Sequence, residues 1–418
     1  KTRKIPSLFS RAVETAQKNR GSACQIPEKS GSPPRKKAVV RMNENILEMI
    51  RRDNFSFPAI TQHCPELLSL KQVPQNKAYH AEGDVYRHTE MVCDALKNLP
   101  EWQDLRPEEQ ELLFLAAAFH DIGKKTCTKW EEGIPISPKH TIAGARQFRQ
   151  MTYRGAGRFG LTFAQREWVA NAIRFHGLPV WFWKKARPEA ALTKAAESIP
   201  LRLLYLLSKA DVLGRLTEGE NELVGHVEWF AEYAKECSVW ERPYPFANPY
   251  TRAQFFARDD LWQGSALYDD TDFDVFLLSG LPLAGKDTWI AEHAAGMPVI
   301  SLDEIREELK LPPAKDSARV ARAGTERAKG YLSRKQPFIW NATNIIPETR
   351  MRLIRLFSGY RARVHILYLE APYGELLARN RIRTRHIPED VLEEMVNKLE
   401  VPAPWEAYGV KYHIHPGI

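Results

Sequence analysis

Two hydrophobic textures divide this chain, and they meet in one short stretch. From residue 43 to about residue 240, apolar residues recur at helical spacing. From Val275 onward they come in short runs, at 275–278, 299–301, 338–340 and 364–369, separated by helical stretches. The first texture fits packed helices. The second fits a parallel α/β sheet, because strands covered by helices on both faces read as unbroken apolar runs. The Pro-, Tyr- and Asp-rich stretch at 241–274 carries neither pattern and marks the junction. The expectation is a multidomain chain: an all-α domain over 42–240, a linker or junction over 241–271, and an α/β domain with a parallel sheet over 272–418. A length of 418 residues and an apolar fraction of 44% suit two such cores.

Charge is unevenly placed. Residues 1–40 hold ten Lys/Arg and two Glu, which is the whole net charge of +8. The remaining chain is balanced, so bulk charge does not mark its folded body as a nucleic-acid binder. Residues 1–41 are expected to be a disordered basic segment or a phosphate-binding arm, and Met42, which opens an amphipathic run, is a candidate native start. No stretch approaches the roughly 20 apolar residues of a membrane span, and the first forty residues contain no apolar secretory core. Five scattered cysteines (Cys24, Cys64, Cys93, Cys127, Cys237) without CxxC spacing point to a reducing cytoplasm.

Several polar residues in the front half share apolar helix faces. His88 precedes Met91, Val92 and Ala95; His120 follows Leu113, Ala116 and Ala117; His176 follows Val169, Ala172 and Ile173; Asp211 follows Leu204 and Leu207. Helical spacing turns all four toward the core. An unpaired buried carboxylate costs several kcal/mol, on the order of a domain's whole margin of stability. Convergence on a divalent transition ion removes that cost, and imidazole and carboxylate are suitable ligands. Taken singly, each His reads as a hydrogen-bonded core residue. The adjacent pair His120-Asp121, at a helix end before Gly123 and Lys124, is the hardest to read that way. The helix it ends opens at Pro107-Glu108-Glu109. The next is expected to open at Ser137-Pro138, with others over Phe163–Phe175, Leu201–Leu213 and 226–235.

In the rear half, Gly280-Leu-Pro-Leu-Ala-Gly285-Lys286-Asp287-Thr288 follows the first apolar run and opens a helix, the context a phosphate cradle needs. Backbone N–H groups and the helix N-terminus hold the phosphates, Lys286 reaches the β/γ oxygens, and a hydroxyl helps hold Mg²⁺. Asp287 stands where Ser or Thr is usual, which leaves Thr288 as the candidate for Mg²⁺ or the α-phosphate. Asp303, at the end of the second strand, and Arg306, three residues on, can share one helix face. A carboxylate there takes the proton of an attacking hydroxyl, and an arginine beside it holds a neighbouring phosphate. The structural alternative is an N-cap Asp in a local ion pair. Arg379, Arg381, Arg383 and Arg385 repel one another unless anions bind. Arg379 and Arg383, four apart, can form a lid over a transferred phosphoryl group, with Arg381 and Arg385 on a solvated face.

These motifs carry two resemblances. His88, His120-Asp121 and Asp211, within AYHAEGDVYRHTE, FHDIGKK, SPKHTIAGARQF, IRFHG and SKADVLGR, resemble the HD phosphohydrolase superfamily over about residues 75–215. The likeness is to the HD modules found beside bacterial tRNA nucleotidyltransferases and in end-healing enzymes. It implies metal-activated water attacking a phosphoester, with Asp121 catalytic. It also implies His140 and His176 as added ligands of a two-ion centre, and Mn, Ni, Co, Zn or Fe as the metal. His80, Lys124 and Lys139 are candidates for binding the substrate phosphate, each balanced by a solvated surface reading.

The P-loop, Asp303-x-x-Arg306, the Trp340-Asn-Ala-Thr343-Asn344 strand end and Arg379-Asn-x-x-Arg383 resemble the polynucleotide 5′-kinase family over about residues 272–416. That implies ATP or another NTP with Mg²⁺, held by Gly280, Gly285, Lys286, Asp287, Thr288 and Asn344. It implies Asp303 as general base, Arg306 as reader of the phosphate next to the 5′-OH, and Arg379 and Arg383 as the lid. Together the modules resemble the bacterial HD-Pnk end-healing enzymes. Those phosphorylate 5′-OH ends of RNA or DNA and remove 2′,3′-cyclic, 2′- or 3′-phosphates, with a nucleic-acid ligase as functional partner. Two other readings stay open: a nucleoside or metabolite kinase fused to an HD nucleotidase, and a kinase with a non-catalytic HD regulatory module.

Overall fold

The computed structural model describes residues 44–312, 316–384 and 386–415. The basic segment 1–41 lies outside them. The front half is a helical bundle around the helix Pro107–Phe119, which starts with Pro at its first position and Glu108 and Glu109 in its first turn. Residues 111 to 119 of that helix are all buried, as suits the centre of a bundle. The helices Val85–Lys97, Phe163–Phe175 and Leu201–Leu213 pack around it in one core running from Ile46 to Val239. Asp84 caps the first of these by accepting from Arg87 N at 2.9 Å, and Thr162 with Gln165 forms a capping box on the second.

Two features depart from the helical expectation. Strands β1 (Lys129–Glu131) and β2 (Ile134–Ile136) pair as a small antiparallel hairpin. Its two turn residues, Glu132 and Gly133, both have positive φ, as a twisted two-residue hairpin turn requires. The helix expected to open at Ser137-Pro138 opens instead at His140 (His140–Arg154). Lys139 is left-handed at φ 58°, which breaks the helical path, and Ser137 O accepts the His140 Nδ1–H at 2.8 Å.

The rear half is an α/β domain on five parallel strands: β3 (Phe273–Ser279), β4 (Val299–Ser301), β5 (Phe338–Asn341), β6 (Ala362–Glu370) and β7 (Gly409–Ile414). Their spatial order is β4-β5-β3-β6-β7. The order reverses at β3, and open α/β sheets bind ligands at the carboxyl ends of strands at such a switch point. The helix Lys286–His293 starts there.

The halves are packed together. Tyr153 of the bundle joins one apolar cluster with Leu281, Ile345, Tyr368, Ala371 and Leu376 of the sheet domain, and its hydroxyl donates to Ala371 O at 2.8 Å. The junction carries its own helix, Pro249–Ala257, capped by Asn248. Arg252 of that helix reaches both ways, to Glu197 in the bundle at 3.0 Å and to Pro404 O in the sheet domain.

Candidate metal centre and phosphate cradle

The turn Asp121-Ile122-Gly123 follows the central helix and presses against the start of the helix His140–Arg154. A Cβ on Gly123 would lie 2.1 Å from His140 O and 2.5 Å from Gly144 N, so only glycine allows this approach. The approach brings His140 beside Asp121. Asp121 Oδ2 lies 3.2 Å from His120 Nε2 and 3.8 Å from His88 Nε2, while Oδ1 lies 3.3 Å from His140 Nε2 and 3.9 Å from His176 Nε2. Asp211 Oδ1 is 3.0 Å from His88 Nε2. Two triads therefore share Asp121: one with His88 and His120, the other with His140 and His176.

The imidazoles are aimed by their other nitrogens. His120 Nδ1 donates to Ala117 O at 2.7 Å, His140 Nδ1 to Ser137 O, and His176 Nδ1 to Ile173 O, both at 2.8 Å. Each contact fixes the tautomer that leaves Nε2 free to ligate. His120 Nε2 and Asp121 Oδ1 are buried and make no hydrogen bond, and Asp121 Oδ2 has the Lys124 ammonium, as an ion pair at 2.7 Å. Buried polar atoms left unsatisfied cost about 1–3 kcal/mol each, and a divalent cation is the partner this donor set suits. Burial, with His120 second, pushes His176 down to about 3. Burial alone would raise Asp121 and Asp211, but Lys124 and His120 beside the first, and Arg215 and His88 beside the second, hold both well below the usual carboxylate range. Anionic oxygens thus stand beside a neutral His176, as metal ligation needs, while burial at His120 is outweighed by Asp121, which raises its pKa.

Lys124 sits at this centre, 2.7 Å from Asp121 Oδ2, and donates to Gln75 Oε1 at 2.7 Å. His80 lines the same cavity, where burial pushes it down to about 4. Lys139 does not join them: it is exposed in its left-handed turn and forms no part of the cavity wall. Two residues were missed from sequence. Glu82 is buried between His80 Nδ1 at 2.8 Å and His88 Nδ1 at 2.9 Å. Arg215 pairs with Asp211 one helical turn away. Glu82 stands between the two histidines in AYHAEGDVYRHTE, and Arg215 lies four residues after Asp211 in SKADVLGR; those spacings were the available signals.

In the sheet domain the loop from Gly280 turns sharply off β3. Gly280 N donates to Thr343 O at 2.8 Å, and a Cβ there would lie 2.3 Å from Leu369 O at φ 150°. Gly285, at φ 96°, delivers the chain into the helix. Leu283, in the place of a more flexible residue, has φ 68°. Lys286 Nζ folds over the loop to Leu281 O at 2.8 Å and Gly280 O at 3.2 Å. Burial pushes its pKa down to about 8; Asp287 and Asp303 oppose this, and Arg383 adds to it.

Asp303 lies two residues beyond β4, in the first turn of the helix Leu302–Glu308, rather than at the strand end. It is not the cap: Ser301 Oγ fills that role by accepting from Glu304 N. Arg306 donates to Pro312 O and Ser317 Oγ, each at 3.2 Å. Arg379 is tied to the cradle itself, donating to Leu283 O at 2.6 Å, and Arg383 follows the helix Tyr373–Ile382. Arg385 lies outside the described residues. Thr288 is exposed in the first helical turn, and Asp287 accepts from Asn341 Nδ2 at 2.7 Å. Asn344 departs from expectation. Its side chain is buried and donates to Leu278 O at 2.6 Å, and its own carbonyl accepts from Ser279 Oγ and Arg350. It therefore latches β3 to the loop after β5, because a strand-end carbonyl there needs a donor.

Residues 84–215 match the HD domain family, and residues 275–402 match the AAA domain family. The chain is 27% identical over 145 residues to an L-seryl-tRNA(Sec) kinase of Methanococcus maripaludis, covering 33% of this chain and 54% of that protein. It is 32% identical over 96 residues to a Multifunctional CCA protein of Halorhodospira halophila, covering 23% of this chain and 21% of that protein. The chain thus spans about half the length of the first relative and about a fifth of the second. Phosphate cradle, parallel sheet and shared-aspartate centre agree with these matches: a helical HD domain is followed here by a P-loop kinase-like α/β domain.

Proposed function

We propose that this chain heals broken nucleic-acid ends, transferring the γ-phosphoryl of ATP, or of another NTP, to a 5′-OH and removing a 2′,3′-cyclic, 2′- or 3′-phosphate. The observation that carries the hydrolytic half is Asp121, buried between two histidine pairs with both pairs within ligand reach of its carboxylate. His88, His120, Asp121 and Asp211 would hold one divalent ion, and Asp121, His140 and His176 a second. When bound there, such ions supply Lewis acidity and water of lowered pKa. The protein's own groups do the rest: Lys124 and His80 hold the phosphate, and Glu82 keeps His88 in place.

In the kinase half, Asp303 takes the proton of the attacking 5′-OH as its oxygen bonds to the γ-phosphorus and the bond to the ADP oxygen breaks. Lys286, Arg379 and Arg383 offset the negative charge of the moving phosphoryl group, and Thr288 and Asp287 lie where Mg²⁺ accompanies ATP. Arg306 holds the phosphate next to the 5′-OH. A nucleic-acid acceptor is favoured over a small one because one relative is, by its name, an L-seryl-tRNA(Sec) kinase, which acts on a group carried by RNA. A nucleic-acid ligase would use the healed ends.

The test is a two-ended assay on defined RNA and DNA oligonucleotides with Mn²⁺, Ni²⁺, Co²⁺, Zn²⁺ and Fe²⁺. Labelling of 5′-OH ends together with loss of 3′-terminal phosphate is expected. Labelling confined to nucleosides or sugars sinks the proposal.

A further inference from the structure

The cavity around Asp121 extends beyond the metal centre. Its volume is about 610 Å³, and Arg174, Lys185 and Lys194 line it together with Asp121 and Lys124. Arg174 is in the last turn of the helix Phe163–Phe175, and Lys194 is on the helix Pro188–Ala196. Both are half-buried. Among the described residues neither makes an ion pair or a hydrogen bond. The carboxylates that come near are engaged elsewhere: Glu406 is held by Arg350 through bonds of 2.6 and 2.8 Å, and Glu400 pairs with Arg146.

Trp405 of the sheet domain lies beside both cations. Its ring centroid lies 5.0 Å from Lys194 Nζ and 5.9 Å from the Arg174 guanidinium. Cation–π contact orients both groups, but it leaves two positive charges uncompensated. Burial first, and Arg174 second, hold the Lys194 ammonium below its ordinary range. Like charges in a partly dry site repel unless an anion enters.

We propose that Arg174 and Lys194, with Lys185 at the rim, form a second anion subsite that takes a backbone phosphodiester of the strand whose terminal phosphate lies at Asp121. This rests on the end-healing reading and sharpens it. The hydrolytic site would read a strand rather than a mononucleotide, and Trp405 of the sheet domain would hold the two cations in place through its ring.

The experiment uses the full chain and compares kcat/KM for a 3′-phosphorylated hexanucleotide and for a nucleoside 3′-monophosphate at several salt concentrations. The wild type is expected to favour the hexanucleotide. Arg174→Gln with Lys194→Gln should lower that preference on the order of 10-fold per cation, as loss of a charged hydrogen bond does, and flatten the salt dependence by about one phosphate contact each. Arg174→Lys with Lys194→Arg should restore most of it. Lys185→Gln, on the exposed rim and unable to unfold the bundle, should give a smaller loss of preference with the same flattening. An unchanged preference in these variants, or an equal fall on both substrates, overturns the subsite and leaves end healing standing. A wild type that hydrolyses the monophosphate and no oligonucleotide overturns both.

Discussion

Arg166 and Glu370 meet face to face across the boundary between the two domains, joined by hydrogen bonds of 2.7 and 2.8 Å with both side chains almost wholly buried. Tyr368 donates a third bond to the same carboxylate at 2.5 Å. Removing one member of a buried pair strands the other charge and costs about 3–5 kcal/mol, whereas replacing both by apolar groups of similar volume is often neutral. Arg166→Met is therefore expected to destabilise the chain by about that amount, and Arg166→Met with Glu370→Leu by much less. Urea unfolding of the three proteins measures this; a single substitution costing no more than the double one contradicts it.

Asp121→Asn should abolish phosphoester hydrolysis and strip bound metal, while 5′-end labelling stays near wild type. Glu82→Gln acts one step removed, through His88. A supporting partner of a metal-bound histidine typically contributes 10–100-fold in metal affinity, so Glu82→Gln should weaken metal retention by that factor without removing a ligand. Metal content after dialysis, measured beside both activities, separates the two variants. Loss of kinase activity with Asp121→Asn would argue against independent sites.

Lys286 sets a pH dependence of known sign. Desolvation of its half-buried amine pushes its pKa down to about 8 from the ordinary 10.5. Between those values the unfolded chain binds a proton that the folded chain does not, so stability from this residue rises as pH climbs from about 8 to 10.5 and is lowest below 8. The melting temperature without nucleotide, compared with that of Lys286→Met, should therefore gain on the variant over that window. ATP, by pairing the ammonium with phosphate, should remove the gain. A flat difference between the two proteins rules out the shift.

P-loop NTPases usually hold Mg²⁺ with a hydroxyl on the loop and a carboxylate on a strand; here the loop carries Asp287 and the strand β5 carries Asn341. The pair keeps one carboxylate and one neutral group, joined at 2.7 Å. Asp287→Ala is expected to raise the Mg²⁺ concentration for half-maximal labelling about tenfold or more, the scale of one lost charged contact, with metal-free ATP binding little affected. Asp287→Ser with Asn341→Asp should recover most of it. If Thr288→Val matches the effect of Asp287→Ala, the threonine and not the aspartate is the Mg²⁺ ligand.

The legible parts of this chain were local ones. The strands showed because a buried parallel strand leaves a continuous apolar run, and the His120-Asp121 pair showed because polar groups interrupt an apolar helix face. What escaped depended on distant partners. Glu82 is buried by accepting from Leu216 N, 134 residues away in sequence. Arg166 has the look of a surface residue until Glu370 arrives from the far domain. Asn344 reads as a nucleotide contact, yet it answers a carbonyl on β3. The late start at His140 turned on one left-handed lysine, a conformation no periodicity foretells.

The junction helix has a further consequence. Arg187 of the bundle donates to Arg258 O and Leu261 O, on either side of the fully exposed Asp259. Tyr408 of the sheet domain holds Asp269 at 2.9 Å. A protease would find its cut at Asp259, but each new end stays fastened where it was. The nicked molecule would migrate as two bands in denaturing gels and still elute from a sizing column as one particle.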